Sequence, residues 1–222
     1  MRDSVLKPFG IFGGTFNPIH FGHLRLAQEA LTGLQLQHVR FIPTGQPAHR
    51  ALPEVSAAAR LDMVRCACAD HPDFIVDTRE VMRAGPSYTV ETLGELRAEF
   101  GAKQSFCLLL GADAYLGLST WHRWQELFQL AHLVVVHRPG FPHAEWTSRM
   151  PPPLREAHQA RYTDDLDGLN HMPAGRIVGF AFTALDIAAS RIRTDLKKGL
   201  SPRYLLPDAV LDYISTKQLY IE

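Results

Sequence analysis

The chain has 222 residues, 46% of them hydrophobic, and its 23 basic and 23 acidic side chains give a formal net charge of zero. That length and composition allow a well-packed domain, and the balanced charge argues against nucleic acid as a main partner. Three cysteines without a CxxC pair, and no apolar run approaching the ~18 residues of a membrane helix, favour a soluble cytoplasmic protein over a disulfide scaffold or a membrane protein.

The first predicted element is the stretch 10–24, GIFGGTFNPIHFGHL, which reads as an apolar strand, a turn on two glycines and the start of an amphipathic helix. Such an element gathers free backbone N–H groups and the positive end of a helix around one small volume, which suits a phosphate. His20 and His23 lie at the mouth of that volume. Because no glutamate separates them and no third ligand is near, the pattern argues against a metal site. The loop is therefore predicted to bind a nucleotide phosphate.

Strands and helices alternate along the rest of the chain. Predicted strands are 38–43, 74–77, 105–110, 132–138 and 176–182, and predicted helices are about 56–70, 89–100, 154–161, 190–198 and 207–217, with a further helix opening at Thr120. This alternation predicts an α/β fold, Rossmann-like and doubly wound, whose mostly parallel sheet carries helices on both faces. We expect a single domain over residues 1–222, with 141–175 as an irregular insertion and 190–222 as a C-terminal helical part.

Polar residues concentrate where the predicted strands end. Ligands of doubly wound sheets bind beyond the carboxyl ends of the strands, so these positions form the candidate site. Beyond the first loop they are His49 and Arg50, the run 111–113, Arg138 and the run 190–193. Some have a structural alternative, since His49 and Arg50 could be a solvated loop, Asp113 a helix cap, and Arg138 half of an ion pair.

The motif GGTFNP followed by HFGH resembles the signature of the HxGH nucleotidyltransferase superfamily. Outside residues 141–175, the rest of the chain resembles bacterial nicotinate-nucleotide adenylyltransferase. The matching motifs are the basic loop 47–50, the turn 87–89, the strand end 111–113, the spaced Trp121 and Trp124, the strand end 138–140, the late motif 187–193 and the tail 206–214. The sequence departs from the usual pattern at Asn17, at Arg50, and in the late motif, where Ala188, Ala189 and Ser190 replace Ser-Ser-Thr.

The resemblance implies an enzyme that transfers the adenylyl group of ATP to nicotinate mononucleotide and releases pyrophosphate. It implies Mg²⁺ bound through the ATP phosphates, no metal ligands from the protein, and catalytic roles for His20, His23 and Arg193. The implied ATP-binding residues are Gly13, Gly14, Thr15, Phe16, His20, His23, Gly111, Asp113, Ser190, Ile192 and Arg193. The implied nicotinate mononucleotide-binding residues are Gly14, Thr15, His49, Arg50, Ser87, Tyr88, Thr89, Trp121 and Arg138.

The implied chemistry requires positioning rather than a general base. The acceptor phosphate is already an anion at neutral pH, because its second pKa is about 6. His20 and His23 would donate hydrogen bonds to phosphate oxygens, and Arg193 would hold the β- and γ-phosphates. On the acceptor side Trp121, unless it is core, would stack on the nicotinate ring. The turn 87–89 would accept the carboxylate, which predicts a preference for the acid over the amide.

Other functions remain open from the sequence. Another HxGH adenylyl- or cytidylyltransferase, such as the pantetheine-phosphate enzyme, would share the loop but not the turn 87–89 and the spaced tryptophans. A class I aminoacyl-tRNA synthetase shares the histidine motif, but 222 residues leave no obvious anticodon module. An inactive nucleotide-binding regulator is suggested by Ala188 and Ala189. The oligomeric state is open, and a homo-oligomer is compatible with the sequence.

Overall fold

The computed structural model describes residues 7–48, 52–137 and 147–221. The strands are β1 Phe9–Gly14, β2 His38–Pro43, β3 Gln46–Pro47, β4 Phe74–Val76, β5 Pro86–Ser87, β6 Phe106–Gly111, β7 His132–His137 and β8 Ile177–Ala181. The α-helices are α1 Phe21–Gly33, α2 Ala57–Cys68, α3 Arg79–Met82, α4 Thr89–Phe100, α5 Ala112–Leu116, α6 Leu127–Leu130, α7 Pro152–Arg161, α8 Ala189–Lys197 and α9 Asp208–Thr216. No helix in these ranges is both long enough and apolar enough to cross a bilayer.

The main sheet has six strands in the order β4-β2-β1-β6-β7-β8. From β1 to β8 the pairing is parallel, and Ile11 lies opposite Leu108, Leu108 opposite Leu133, and Leu133 opposite Ile177. The order runs outward from β1 to one edge and then restarts with β6 on the other side, as in a doubly wound Rossmann fold. The predicted α/β fold with a mostly parallel sheet is confirmed.

The chain divides into two compact units, and each is built from three separate stretches of sequence. Unit 1 comprises Met1–Phe12, Glu29–Val39 and Tyr88–Thr183, and unit 2 comprises Gly13–Gln28, Arg40–Ser87 and Ala184–Glu222. The single domain expected over 1–222 stays a prediction.

Unit 1 has a core of continuous apolar strands. Residues 133–135 of β7 are completely buried, as is Ile177 of β8, which is the pattern of parallel strands covered on both faces. The region expected to be an irregular insertion contributes to this core. Its helix α7 buries Leu154, and the turn that follows buries Leu169. The helix expected near residues 154–161 is therefore present.

The prediction of a helix that begins at Thr120 is wrong. Two 3₁₀ turns, Leu118–Thr120 and Trp124–Glu126, lead instead into the one-turn helix α6. Arg123 between them has a φ of 51°, in the left-handed region that an α-helix excludes. Its guanidinium binds the Glu126 carboxylate, with an Nε to Oε1 distance of 2.7 Å. This local turn interrupts the helix expected to open at Thr120.

Unit 2 contains a small parallel ladder that the sequence did not predict. In it Gln46 of β3 lies opposite Pro86 of β5, and Pro47 lies opposite Ser87. Two-residue strands that contain proline have no periodicity to detect. Helix α2 begins where expected, because the Ser56 hydroxyl accepts a hydrogen bond from the Ala59 N–H at 3.2 Å.

Candidate active site

The glycine loop of unit 2 is anchored by its own backbone and by one buried ring. The Gly14 carbonyl accepts a hydrogen bond from the Thr44 N–H at 2.9 Å. Phe16 has a φ of 45° and is 2% exposed, and its ring packs 5.1 Å from the His23 ring and 5.8 Å from that of Phe41. Any ligand contact by Phe16 would therefore come from its backbone. Gly13, by contrast, is exposed at the end of β1.

The two histidines of the HFGH motif are brought together as a stacked pair. Their ring centroids lie 3.8 Å apart at 29°. The His20 N–H donates to His23 Nδ1 at 3.3 Å, so the neutral His23 ring carries its proton on Nε2. Gly22 makes this packing possible, because a Cβ there would lie 3.0 Å from both Nδ1 and Cε1 of His20. The pair is thus built as a unit with the His23 Nε2–H as a donor.

Both imidazoles are neutral at pH 7. Burial lowers the pKa of His20 to about 4. Burial, with a smaller contribution from the charge of His20, lowers the pKa of His23 to about 3. Among the described residues, His20 Nδ1 has no hydrogen-bond partner although it is buried. Buried polar atoms are normally paired, so this nitrogen has capacity left for a ligand or water.

The late motif lies at the start of helix α8 in unit 2. Its N-cap is Ala188, which has no side-chain acceptor for the first N–H groups of the helix. Ser190 is exposed, whereas the Ile192 side chain is completely buried and could meet a ligand only through its backbone. Arg193 donates from Nη1 to the Asn17 carbonyl at 2.7 Å. The late motif and the glycine loop are therefore joined by a direct hydrogen bond.

Two residues of this region escaped the sequence analysis. Tyr220, 2% exposed, donates its hydroxyl hydrogen to Asn17 Oδ1 at 2.5 Å. Arg60, 1% exposed, donates from Nη1 to the Thr15 carbonyl at 2.7 Å. A signal for Arg60 was present, because it lies four residues before Val64 on the apolar face of α2. Tyr220 had no local signal.

The acceptor-side turn falls in both units, and its residues are placed as follows. In unit 2, the Ser87 Oγ accepts the Gly45 N–H at 3.2 Å. In unit 1, Tyr88 is the N-cap of α4 and makes no side-chain cap, and half-buried Thr89 is the first helical residue. Trp121, also in unit 1, is half-buried in an extended conformation.

The strand end after β6 lies in unit 1. Gly111 is exposed and is the N-cap of α5, and Asp113 is exposed in the first turn of that helix. The alternative in which Asp113 caps the helix is wrong, because Gly111 occupies the cap and no side-chain cap bond is present. Three predicted site residues, His49, Arg50 and Arg138, lie outside the described residues. Within the described ranges, no three His, Cys, Asp or Glu side chains group together as a metal site.

Comparison with known proteins gives the family. A model of the cytidylyltransferase-like family matches residues 11–194. A probable nicotinate-nucleotide adenylyltransferase of Dechloromonas aromatica is 54% identical over 214 residues, which cover 96% of this chain and 98% of the relative. The chain belongs to the nicotinate-nucleotide adenylyltransferase family. A second member, from Acidithiobacillus ferrooxidans, is 46% identical over 220 residues, 99% of each chain.

The fold of this family is also found among solved structures. That of Plasmodium falciparum nicotinic acid mononucleotide adenylyltransferase complexed with NaAD has a TM-score of 0.70 at 15% identity, covering 96% of this chain and 97% of that one. At this identity the likeness shows the fold alone. The resemblance to nicotinate-nucleotide adenylyltransferases is confirmed by the sequence relatives.

Proposed function

We propose that the chain transfers the adenylyl group of ATP to nicotinate mononucleotide, which gives nicotinate adenine dinucleotide and pyrophosphate in NAD biosynthesis. The supporting observation is the neutral His20–His23 pair at the start of α1, which follows a loop whose Asn17 carbonyl binds Arg193. The chain that carries this pair is 54% identical to a probable nicotinate-nucleotide adenylyltransferase. These groups match a reaction that needs hydrogen-bond donors and positive charge around phosphates.

The reaction is a phosphoryl-type displacement. An oxygen of the acceptor phosphate forms a bond to the α-phosphorus of ATP, while the bond from that phosphorus to the bridging oxygen of pyrophosphate breaks. No proton has to be removed from the nucleophile, so a general base is unnecessary. The His23 Nε2–H donates to a phosphate oxygen, and Arg193 uses the N–H groups not bound to Asn17 for the β- and γ-phosphates.

The start of α8 complements these donors. Since Ala188 offers no side-chain acceptor, the first N–H groups of the helix remain for phosphate, together with the Ser190 hydroxyl. The backbone can thereby supply hydrogen bonds that the hydroxyls missing at Ala188 and Ala189 would otherwise give. Mg²⁺ would be bound by the oxygens of the ATP phosphates, the hard ligands that it prefers, and would offset their negative charge. Gly13, Gly14 and Thr15 supply backbone contacts to the nucleotide.

The acceptor carboxylate is assigned to the turn 87–89. The Thr89 hydroxyl and the uncapped N–H groups at the start of α4 favour a negative charge. Ser87 accepts from Gly45 and so keeps its own hydroxyl hydrogen for donation. The remaining proposed contacts are the nicotinate ring with Trp121, the acceptor with Tyr88, His49, Arg50 and Arg138, and ATP with Gly111 and Asp113.

A reducing compartment such as the cytoplasm is proposed as the place of action. Cys66, Cys68 and Cys107 are free thiols. Burial raises the pKa of the Cys107 thiol to about 12, so it is present as an inert thiol.

The deciding experiment measures pyrophosphate release from ATP and magnesium with nicotinate mononucleotide, nicotinamide mononucleotide and 4′-phosphopantetheine as acceptors. We expect the highest kcat/KM with nicotinate mononucleotide. The highest kcat/KM with phosphopantetheine would assign a different acceptor. Binding of ATP without turnover on any acceptor would indicate a regulator, and would refute the proposal.

A further inference from the structure

Arg60 is a buried cation whose guanidinium donates to backbone carbonyls of two loops. Its side chain comes from helix α2, and its Nη1 donates to the Thr15 carbonyl at 2.7 Å. Its Nη2 donates to the Thr44 carbonyl at 2.6 Å and to the Gly45 carbonyl at 3.1 Å. One planar guanidinium thus binds two loops, the glycine loop after β1 and the loop after β2.

This arrangement is costly for stability alone. Burial lowers the pKa of the Arg60 guanidinium, and its buried Nε has no hydrogen-bond partner among the described residues. All the partners of its terminal nitrogens are neutral carbonyls rather than carboxylates. Removing the guanidinium would also leave the Thr15, Thr44 and Gly45 carbonyls without this donor. What distinguishes Arg60 is that these carbonyls belong to two loops of the candidate site.

The second of the two loops is closely packed and is hydrogen-bonded to the proposed acceptor turn. A Cβ on Gly45 would lie 2.0 Å from the Glu80 carbonyl oxygen, so the backbone of this loop is pressed against α3. The Gly45 N–H donates to Ser87 Oγ, and β3 pairs with β5 at Pro47 and Ser87. Through Gly45, Arg60 is two hydrogen bonds away from the residue proposed to meet the acceptor.

We propose that Arg60 is a positioning residue that sets the distance between the glycine loop, held at Thr15, and the loop after β2, held at Gly45 and hydrogen-bonded there to Ser87 of the proposed acceptor turn. This inference rests on the proposed function, which assigns Thr15 and Ser87 to the substrates. In-line transfer requires the two reacting groups to be held together, so loss of this clamp misplaces both. Its loss raises KM for both substrates and lowers kcat, whereas a purely structural arginine would affect only stability.

The test compares Arg60→Met, which keeps the volume, and Arg60→Lys, which keeps the charge but not the planar fork. Arg97→Met is the matched control, because Arg97 of unit 1 also donates to backbone carbonyls, those of Gln104 and Leu130, at 2.5 and 2.6 Å. Thermal unfolding and steady-state kinetics with ATP and nicotinate mononucleotide are measured for each, well below the unfolding midpoint.

We expect Arg60→Met to raise both KM values about tenfold or more, in line with the loss of hydrogen bonds from a charged donor. Arg60→Lys recovers part of the loss, and Arg97→Met lowers the unfolding midpoint with both KM values within about twofold of the wild type. Unchanged KM values in folded Arg60→Met, or failure of both Arg60 variants to fold, would overturn the inference by showing a structural residue. Absence of turnover in the wild type would instead overturn the proposed function and this inference with it.

Discussion

Two buried histidines, His132 of unit 1 and His20 of unit 2, differ in how their ring nitrogens are paired. In unit 1, buried His132 is satisfied at both ring nitrogens, since Nε2 lies 2.8 Å from the Met172 carbonyl and Nδ1 accepts the Arg176 N–H at 3.1 Å. Ser105, also buried, donates to the Leu169 carbonyl at 2.7 Å. These bonds join segments of unit 1 that are distant in sequence. Their partners are all backbone atoms, so they use up the hydrogen-bonding capacity of the side chains in holding the fold.

In unit 2, two buried nitrogens near the glycine loop have unused hydrogen-bonding capacity. His20 Nδ1 and Arg60 Nε are buried without a partner among the described residues. Arg193 spends one nitrogen on the Asn17 carbonyl. Unpaired buried donors and acceptors cost free energy. Under the proposed function, His132 and Ser105 maintain the structure of unit 1, whereas the unused nitrogens around the glycine loop are available to a phosphate.

The largest expected effect comes from His23. His23→Ala removes the Nε2–H donor, and we expect kcat to fall about 10²- to 10³-fold, the cost typical of losing one preorganised donor to a transition-state oxyanion. The control is His132→Ala in unit 1, which should lower the free energy of unfolding by about 1–3 kcal/mol through unpaired backbone groups, with kcat little changed. Kinetics and denaturant unfolding of both variants test this. Equal losses of kcat in the two would remove the distinction between the units.

A pH series of stability tests the buried, neutral state of the histidine pair. The pKa of an exposed histidine is about 6.5, whereas burial lowers the pKa to about 4 in His20 and about 3 in His23. Between pH 6.5 and 4 the unfolded chain therefore binds protons that the folded chain does not. As the pH is lowered through this window, the free energy of unfolding should decrease by up to about 1.4 kcal/mol per pH unit for each histidine. Above pH 6.5 these two residues should not change the free energy of unfolding with pH.

The measurement is urea unfolding of the wild type and of a His20→Asn, His23→Gln double variant from pH 4 to 8. Other groups, such as His132, titrate in both proteins and cancel in the difference. We expect the double variant to have the shallower pH dependence below 6.5. Parallel curves would show that the pair is solvated and titrates normally.

Much of the fold could be predicted because its signals are local. Strands β6, β7 and β8 are apolar runs bounded by glycine, proline or polar residues, and such runs remain strands wherever they are placed in the sheet. The helix expected to open at Thr120 is not formed, because Arg123 adopts a left-handed conformation that an α-helix excludes. The ladder of β3 and β5 was not predicted for a different reason, since a two-residue strand is too short to show a periodicity.

The part of the candidate site that consists of contiguous motifs could also be predicted from the sequence. The glycine loop, the two histidines and the late motif are contiguous motifs, so their residues could be named from the sequence. Arg60 and Tyr220 reach partners 45 and 203 residues away, at Thr15 and Asn17. Contacts between residues so far apart in the sequence cannot be predicted from a local sequence pattern. What the motif could not supply was therefore the set of side chains that hold it in place.

A smaller effect is expected at the acceptor turn. Thr89→Val keeps the shape of the side chain but removes a hydroxyl from the start of α4, where Tyr88 provides no side-chain cap. We expect KM for nicotinate mononucleotide to rise about tenfold, since a hydrogen bond to a charged group is lost, and the preference over nicotinamide mononucleotide to shrink. Thr92→Val, on the buried side of the same helix, is the control and should leave that preference intact. An unchanged preference in Thr89→Val would move the carboxylate elsewhere.

The smallest effect is expected at Tyr220. Burial raises the pKa of its hydroxyl, which is therefore a neutral donor to Asn17 Oδ1. Tyr220→Phe should lower the free energy of unfolding by about 1 kcal/mol and raise KM for ATP only a few-fold, because Arg193 still holds the Asn17 backbone. Tyr213→Phe, which loses a bond to Asp62 at 3.1 Å, is the control and should leave KM unchanged.

A double-mutant cycle makes this last comparison quantitative. If Tyr220 acts through Asn17, Tyr220→Phe and Asn17→Ala should be non-additive in stability, with a coupling of about 0.5 kcal/mol or more, whereas Tyr213→Phe and Asn17→Ala should add. Additivity of both pairs would mean that the Tyr220 hydroxyl stabilises the end of the chain rather than the glycine loop. Coupling confined to the Tyr220 pair would show that the hydrogen bonds that hold the glycine loop include Tyr220, a residue that belongs to no recognised motif.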